Sequence, residues 1–380
     1  MFVKIASLAA TAALLTVGAA HADGTLNVAT GGSQNMVDYV TDYLGPLFEK
    51  QNPGWTVSVV GTGPGDAGSQ AIMEKLKAQE SSDKWDLDVV VTAQLQTGKM
   101  VEDGLLQKYV ADIATGKMAT RDTSKMSLGM NVEGFVMPMF HSQTAIAYNP
   151  DLVKNPPKSF DEIKAWAEAN KGAFGYNGIK NGMSGVAFTA AWMYAYAGDR
   201  EQLMNGPYDA ARKSTPAWDK ALADLKAFNE FVTFTPGNAG TLDMMNRGEI
   251  AMGPVWVDMF YSWQADGRLN PALKLFLPEP GMPGQPYYYA IPAKAANADM
   301  ARKFIELATS PKVQAEGIVK RFNWYPGIDA GNLKDELSAD DWNKLFSDIT
   351  PDELASKGLP FPLGSYFAEI NEAYEAKVAN

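Results

Sequence analysis

Ser142 beside His141 is the pair in this sequence that most resembles catalytic equipment, because a histidine can take the proton of a serine hydroxyl that attacks a carbonyl. Adjacent residues on extended chain point to opposite faces, so the two side chains would not share one site. No Gly-x-Ser-x-Gly elbow accompanies them. The chain holds 2 histidines and no cysteine, which excludes a thiol nucleophile, disulfides and histidine-rich metal sites. It is therefore read as a non-enzyme without cofactor or metal, with a secreted hydrolase as the remote alternative.

The remaining chemistry is recognition. Gly31-Gly32-Ser33 sits between an apolar strand and a helical pattern, where free backbone N–H groups can hold an oxygen or an anion. Gly63-Pro64-Gly65-Asp66 forms a second such turn; Pro64 removes a donor and Asp66 repels anions, so this turn suits a polar or cationic group. These glycines serve tight turns equally well. Flat rings cluster at Trp192, Tyr194 and Tyr196, at Trp256, and at Tyr287 to Tyr289. Such rings pack against sugar faces and attract amines, although aromatic stripes also build cores.

The elements that would position these residues alternate. Leu26 to Thr30 reads as a strand, and Met36, Val37, Val40, Leu44, Leu47 and Phe48 recur at helical spacing after it. Thr56 to Val60 is a second strand before a helix carrying Ile72, Met73 and Leu76, and Leu87 to Val91 is a third, ending at Thr92-Ala93-Gln94. This β-α-β-α-β order implies an α/β fold with a doubly wound, mostly parallel sheet, whose ligand sites lie beyond the carboxyl ends of the strands. Gln94 is a candidate on that ground. Phe135 to Asn149 reads as a long extended crossing, Ser159 with Glu162 as a capping box, and Pro278, Pro280, Pro283 and Pro286 with Gly281 and Gly284 as a rigid loop.

Lys4, the apolar run Ile5 to Val17 and Ala20-His21-Ala22 form a secretory leader over residues 1–22, with cleavage before Asp23. The absence of a lipidated cysteine points to free release in a Gram-negative periplasm. With 33 basic and 44 acidic residues the net charge is −11, and loss of Lys4 makes it 32 − 44 = −12, which argues against nucleic acid as a partner. A mature chain of this length exceeds what one core sustains, so two lobes are expected.

The run Ala147-Tyr148-Asn149-Pro150-Asp151-Leu152-Val153-Lys154-Asn155-Pro156-Pro157-Lys158-Ser159-Phe160-Asp161-Glu162-Ile163 resembles the segment past the first hinge in the maltose-binding branch of family 1 extracellular solute-binding proteins. Met245 to Pro254 resembles that family's helix-end-to-strand block, and Tyr289-Ala290-Ile291-Pro292 with Ala298 to Thr309 its return into the first lobe. Asp86 to Val91 and Phe174 to Gly198 look more like the polyamine-, thiamine- and iron-binding branches.

The resemblance implies a monomeric, two-lobed, type II periplasmic binding protein that hands a small molecule to an ABC permease with cytoplasmic ATPase subunits. The expected lobes are 23–140 with 280–320 and 141–279 with 321–380, joined by two or three crossing strands at about 136–144 and within 275–290, with no single continuous sheet. It places Trp256 and Asp258 where the family's cleft strand ends, alternating on extended chain so that both face the ligand. Tyr288 joins them near a strand end, while His141 lies at the first crossing and Trp324 and Tyr325 at a later one. Sugar or polyol is the favoured solute; a polyamine- or thiamine-like cation and a phosphorylated or otherwise anionic solute are the alternatives.

Overall fold

The computed structural model describes residues 24–32, 34–63, 65–180 and 182–379, with the backbone alone for Gly65 and Asp66. The expected leader, residues 1–22, and Ser33 lie outside the described residues.

Aliphatic runs build the first three strands, β1 (Gly24–Gly31), β2 (Trp55–Gly63) and β3 (Val89–Ala93), which pair in parallel in the order β2-β1-β3. Every residue of β3 is buried, as in a central strand covered on both faces, whereas β2 alternates at the edge. The third strand starts two residues later than its apolar run predicts. Asp88 is occupied in a tie instead: its carboxylate accepts from the backbone N–H of Asn27 and of Asn297 at 2.9 and 2.8 Å.

A short β4 (Leu106–Gln107) and the hairpin β5 (Met126–Ser127) and β6 (Met130–Asn131) lead into the long β7 (Val136–Tyr148). The helix Phe160–Ala169 begins where the sequence reading puts it, with Ser159 Oγ accepting from Glu162 N; the Glu162 carboxylate reaches Lys158 N rather than Ser159 N. Three further parallel strands, β8 (Phe174–Tyr176), β9 (Val232–Phe234) and β10 (Met252–Trp256), repeat the first arrangement in the order β9-β8-β10. After β11 (Lys274–Phe276), the chain returns in β12 (Met282–Pro292).

Each half is completed by an antiparallel strand from the other half, β12 beside β3 and β7 beside β10. β7 serves both. Its residues Val136 to Gln143 pair with β12, and Thr144 to Tyr148 pair with β10. The ladder is therefore continuous from β2 to β9, against the expectation of separate sheets, because a 13-residue strand, roughly 40 Å long, reaches through both halves. The path between halves runs through β12 and β7 alone.

The proline-rich segment also differs from its reading as a loop, since Pro283 and Pro286 lie within β12, opposite Leu359 and His141. Prolines give no N–H to a ladder, which is why such a segment reads as irregular. The helical run from Pro311 contains a π-helical stretch, Gln314–Val319, and stops at Asn323, whose φ of 54° is a left-handed cap. β13 (Tyr325–Pro326) then pairs with β7 at His141 and Phe140, and β14 (Gly358–Leu359) pairs with the start of β12 before the final helix, Gly364–Lys377. Among the described residues no helix is long and apolar enough to cross a membrane.

Candidate ligand-binding cleft

Side chains alternate along β7, so Phe140, Ser142 and Thr144 share one face and His141 and Gln143 the other. The register puts Tyr287 opposite Phe140 and Gln285 opposite Ser142, which makes the ribbon of β7 and β12 the floor between the two halves. Ser142 Oγ donates to Asp258 Oδ1 at 2.6 Å. The Trp324 indole lies close enough to favour the ionised form of the same carboxylate. Burial pushes the Asp258 carboxyl above its ordinary range, and Ser142, Trp324 and its own backbone N–H only partly offset that. No lysine, arginine or histidine among the described residues figures among its partners.

Trp324 is held by stacking, with ring centroids 4.0 Å from Phe140 and 4.6 Å from Phe322. Phe140 stacks in turn on Tyr287 at 5.6 Å, and Phe322 meets the edge of Tyr39 at 5.6 Å. These contacts occupy the faces of Trp324, which thereby supports the carboxylate rather than offering a platform.

Asp258 does not lie on extended chain. Trp256 ends β10, and Asp258 sits in the first turn of the helix Val257–Ala265, where the helix dipole favours an anion. The expected same-face pair is therefore divided. Trp256 packs with Val186, Ala187 and Phe361, in a cluster apart from Asp258's partners. The reason is topological: a strand in a doubly wound half must turn into a covering helix, and β10 does so at Val257.

Gln94 opens the helix Gln94–Glu102 at the end of β3 and is buried, with its carbonyl accepting from Ser127 Oγ at 2.8 Å. It lines a cavity of about 50 Å³ with Leu128, Met183, Gln285 and Phe361, which brings both halves and the ribbon together. The glycine turns are self-contained. Gly32 N donates to Gly63 O at 2.9 Å, and a Cβ on Gly68 would lie 1.9 Å from that same oxygen, so the turns lock β1, β2 and the next helix. Gly63 needs its φ of 107°. Ser33 and the Asp66 side chain lie outside the described residues.

Four other candidates are held by partners of their own, although Tyr325 lies near enough to Asp258 to feel its charge. Trp192 is fully buried in the helix Met183–Tyr196 and donates Nε1–H to Ala221 O at 2.9 Å, a core role. Tyr288 is fully buried, donates to Thr123 O at 2.5 Å, and its hydroxyl is pushed up to about 12 by burial. Tyr325 is buried against Phe346 at 5.5 Å. His141 points away from Ser142, and its Nε2 bonds Gln143 Oε1 at 3.1 Å, so the Ser142–His141 pair does not form.

The sequence reading missed Phe140, Gln285 and Met183; it placed Ser142 at the crossing between lobes and weighed it as a suspect nucleophile. Period-two alternation on β7 carried the signal for Phe140 and Ser142; Gln285 joins them only through strand register, which no local pattern announces.

Comparison with solved structures places the fold among two-lobed binding proteins. A solute-binding protein of Bordetella parapertussis aligns with a TM-score of 0.73 at 17% identity, covering 94% of this chain and 100% of its own. A spermidine/putrescine ABC transporter substrate-binding protein of Streptococcus pneumoniae gives 0.68 at 13% identity, over 93% and 98%. A maltose-bound protein of T. maritima also gives 0.68, at 15% identity over 93% and 95%. The family model for bacterial extracellular solute-binding proteins matches residues 47–345, and the chain belongs to that family.

Proposed function

We propose that this chain is the periplasmic capture subunit of an ABC importer and that its cleft closes on a small organic cation, such as an amine, anchored at Asp258. The observation that carries this reading is a desolvated carboxylate that accepts from the neutral hydroxyl of Ser142, lies beside the Trp324 indole and has no cationic partner among the described residues. Such a group is costly to bury alone and gains most from a ligand that brings the missing charge. A sugar, the solute favoured by sequence, supplies hydroxyls but not that charge. An anionic solute is disfavoured by the same carboxylate and by the engaged N–H of Gly32. Among the described residues no group of three or more His, Asp or Glu gathers to hold a metal ion, which weighs against a bare metal as cargo.

A cation that touches Asp258 on the second half and residues such as Gln94 on the first contributes both contacts only when the lobes are closed, so it shifts the equilibrium towards closure. The change of partners on β7 between Gln143 and Thr144 supports a first hinge there. Asp329 N donates to Met118 O at 2.7 Å, which supports extending the first lobe's late segment to about residue 331. Cleavage before Asp23 would release the chain into a Gram-negative periplasm, to meet its permease as a monomer.

A thermal-shift screen tests the solute class. Putrescine, spermidine or another amine should raise the melting temperature of the wild-type protein and not of Asp258→Asn, since a ligand stabilises by RT ln(1 + [L]/Kd). A response to maltose or another neutral sugar that persists in Asp258→Asn would overturn the proposal.

A further inference from the structure

A cavity of about 480 Å³ lies on the face of β7 opposite Asp258, lined by His141, the Thr120 to Thr123 stretch, Asp329 to Gly331 and the segment around Leu354. Arg121 brings a guanidinium to it whose one hydrogen bond goes to Pro326 O at 3.3 Å. No carboxylate is paired with this cation among the described residues. Asp329 lies near enough to favour its charge, but both its oxygens are engaged by Thr120, through N–H at 3.2 Å and Oγ1 at 2.8 Å. Burial lowers the Arg121 pKa, and the nearby charge of Asp329 offsets this only in part.

His141 is 6% exposed and its Nδ1 has no partner among the described residues. The hydrogen-bond network settles which form the ring takes. Gln143 Nε2 donates to Thr144 O and Met282 O, each at 2.8 Å, so Gln143 Oε1 is an acceptor and the Nε2–H of His141 must donate to it. With burial holding the ring neutral, at a pKa of about 3, Nδ1 is a free lone pair. Asp122 is exposed at the rim, a further acceptor. Phe346, Leu354 and Pro360 make the rest of the wall apolar.

A cation in no ion pair, an unpartnered ring nitrogen and two carboxylates around one cavity do not suit a plain anion or a plain cation. They match a molecule that carries both charges, with its carboxylate at Arg121 and its ammonium at the acidic rim of Asp122 and Asp329, beside the neutral His141 ring. We propose that this cavity is a second binding site, for a small amino carboxylate with an apolar side chain, formed by Arg121, His141 and the wall of Phe346 and Leu354. It is separate from the cleft at Asp258, because adjacent residues of β7 face the two sites.

The test uses leucine and phenylalanine as probes on the full mature chain carrying Asp258→Asn, which silences cation capture in the cleft. Calorimetric titration should show binding of one or both in this background. Arg121→Met should weaken it by about tenfold or more, the loss of one charged hydrogen-bonded contact. Arg121→Lys serves as the folding control and should retain part of the affinity. Isovalerate, which lacks the ammonium, and isoamylamine, which lacks the carboxylate, should each bind at least about tenfold more weakly than leucine. Absence of binding by both amino acids overturns the proposal. Binding that survives Arg121→Met in a protein with unchanged circular dichroism, or that is equal for leucine and isovalerate, does so too. Because the cleft is silenced throughout, failure here leaves the amine proposal for Asp258 standing.

Discussion

Ser142 Oγ donates to Asp258 Oδ1 at 2.6 Å, joining the strand that crosses between the halves to the helix that follows β10 in the second. The bond lies beside the point where β7 changes partners from β12 to β10, so Asp258 is tied to the strand shared by both halves. Ser142→Ala removes a donor that stabilises the ionised carboxylate. Amine affinity should fall by about 1.5 kcal/mol, roughly tenfold, and its acid midpoint should move to higher pH. Titrations across a pH series read both effects.

Asp258→Asn should stabilise the unliganded protein while it removes capture. The folded-state pKa of Asp258 lies above the unfolded value of 3.8, so the folded state binds more protons between the two. Ionisation then costs stability as pH rises through that window, and the cost is constant above it. The variant should be the more stable protein at neutral pH, a stability gained where function needs strain, and should lose that advantage below the unfolded pKa. Thermal unfolding at neutral and at acid pH measures the difference.

His141 makes the opposite contribution. Burial holds its folded pKa at about 3 against 6.5 unfolded, so the unfolded state binds more protons between those values. Stability from this residue is intact above pH 6.5 and falls by about 1.4 kcal/mol per unit as pH drops towards 3. In His141→Gln that slope should be absent, so the difference between the wild-type and variant unfolding profiles isolates it. Parallel denaturant titrations resolve it.

Trp192→Phe should destabilise the fold by about 1 to 3 kcal/mol, through the lost bond to Ala221 O and the volume left empty. Its amine affinity should match wild type. A weakened Kd with unchanged stability would return Trp192 to the binding site.

Much of the architecture was legible because it rests on local chemistry. The apolar runs of β1 and β2, the Ser159 cap and the extended run from Phe135 each carry their own signal. The site was legible only in part. Asp258 and Trp324 were both singled out, yet the turn from strand to helix between Trp256 and Val257 has no glycine or proline to mark it, so their geometry was misjudged. Trp192 and Trp256 occupy similar apolar surroundings in sequence, and only tertiary packing makes one a core residue bonded to Ala221 and the other a neighbour of Phe361. The Arg121 cavity is assembled from four separate stretches, which no local pattern connects.

The central claim, that the cleft captures a cation through Asp258, is tested most directly by calorimetric titration of the wild-type protein and Asp258→Asn with the amine that gives the largest thermal shift. The account predicts a saturable wild-type isotherm weakened by about 1.5 to 3 kcal/mol in the variant, roughly tenfold to a hundredfold in Kd. Equal affinity in the two proteins would contradict it.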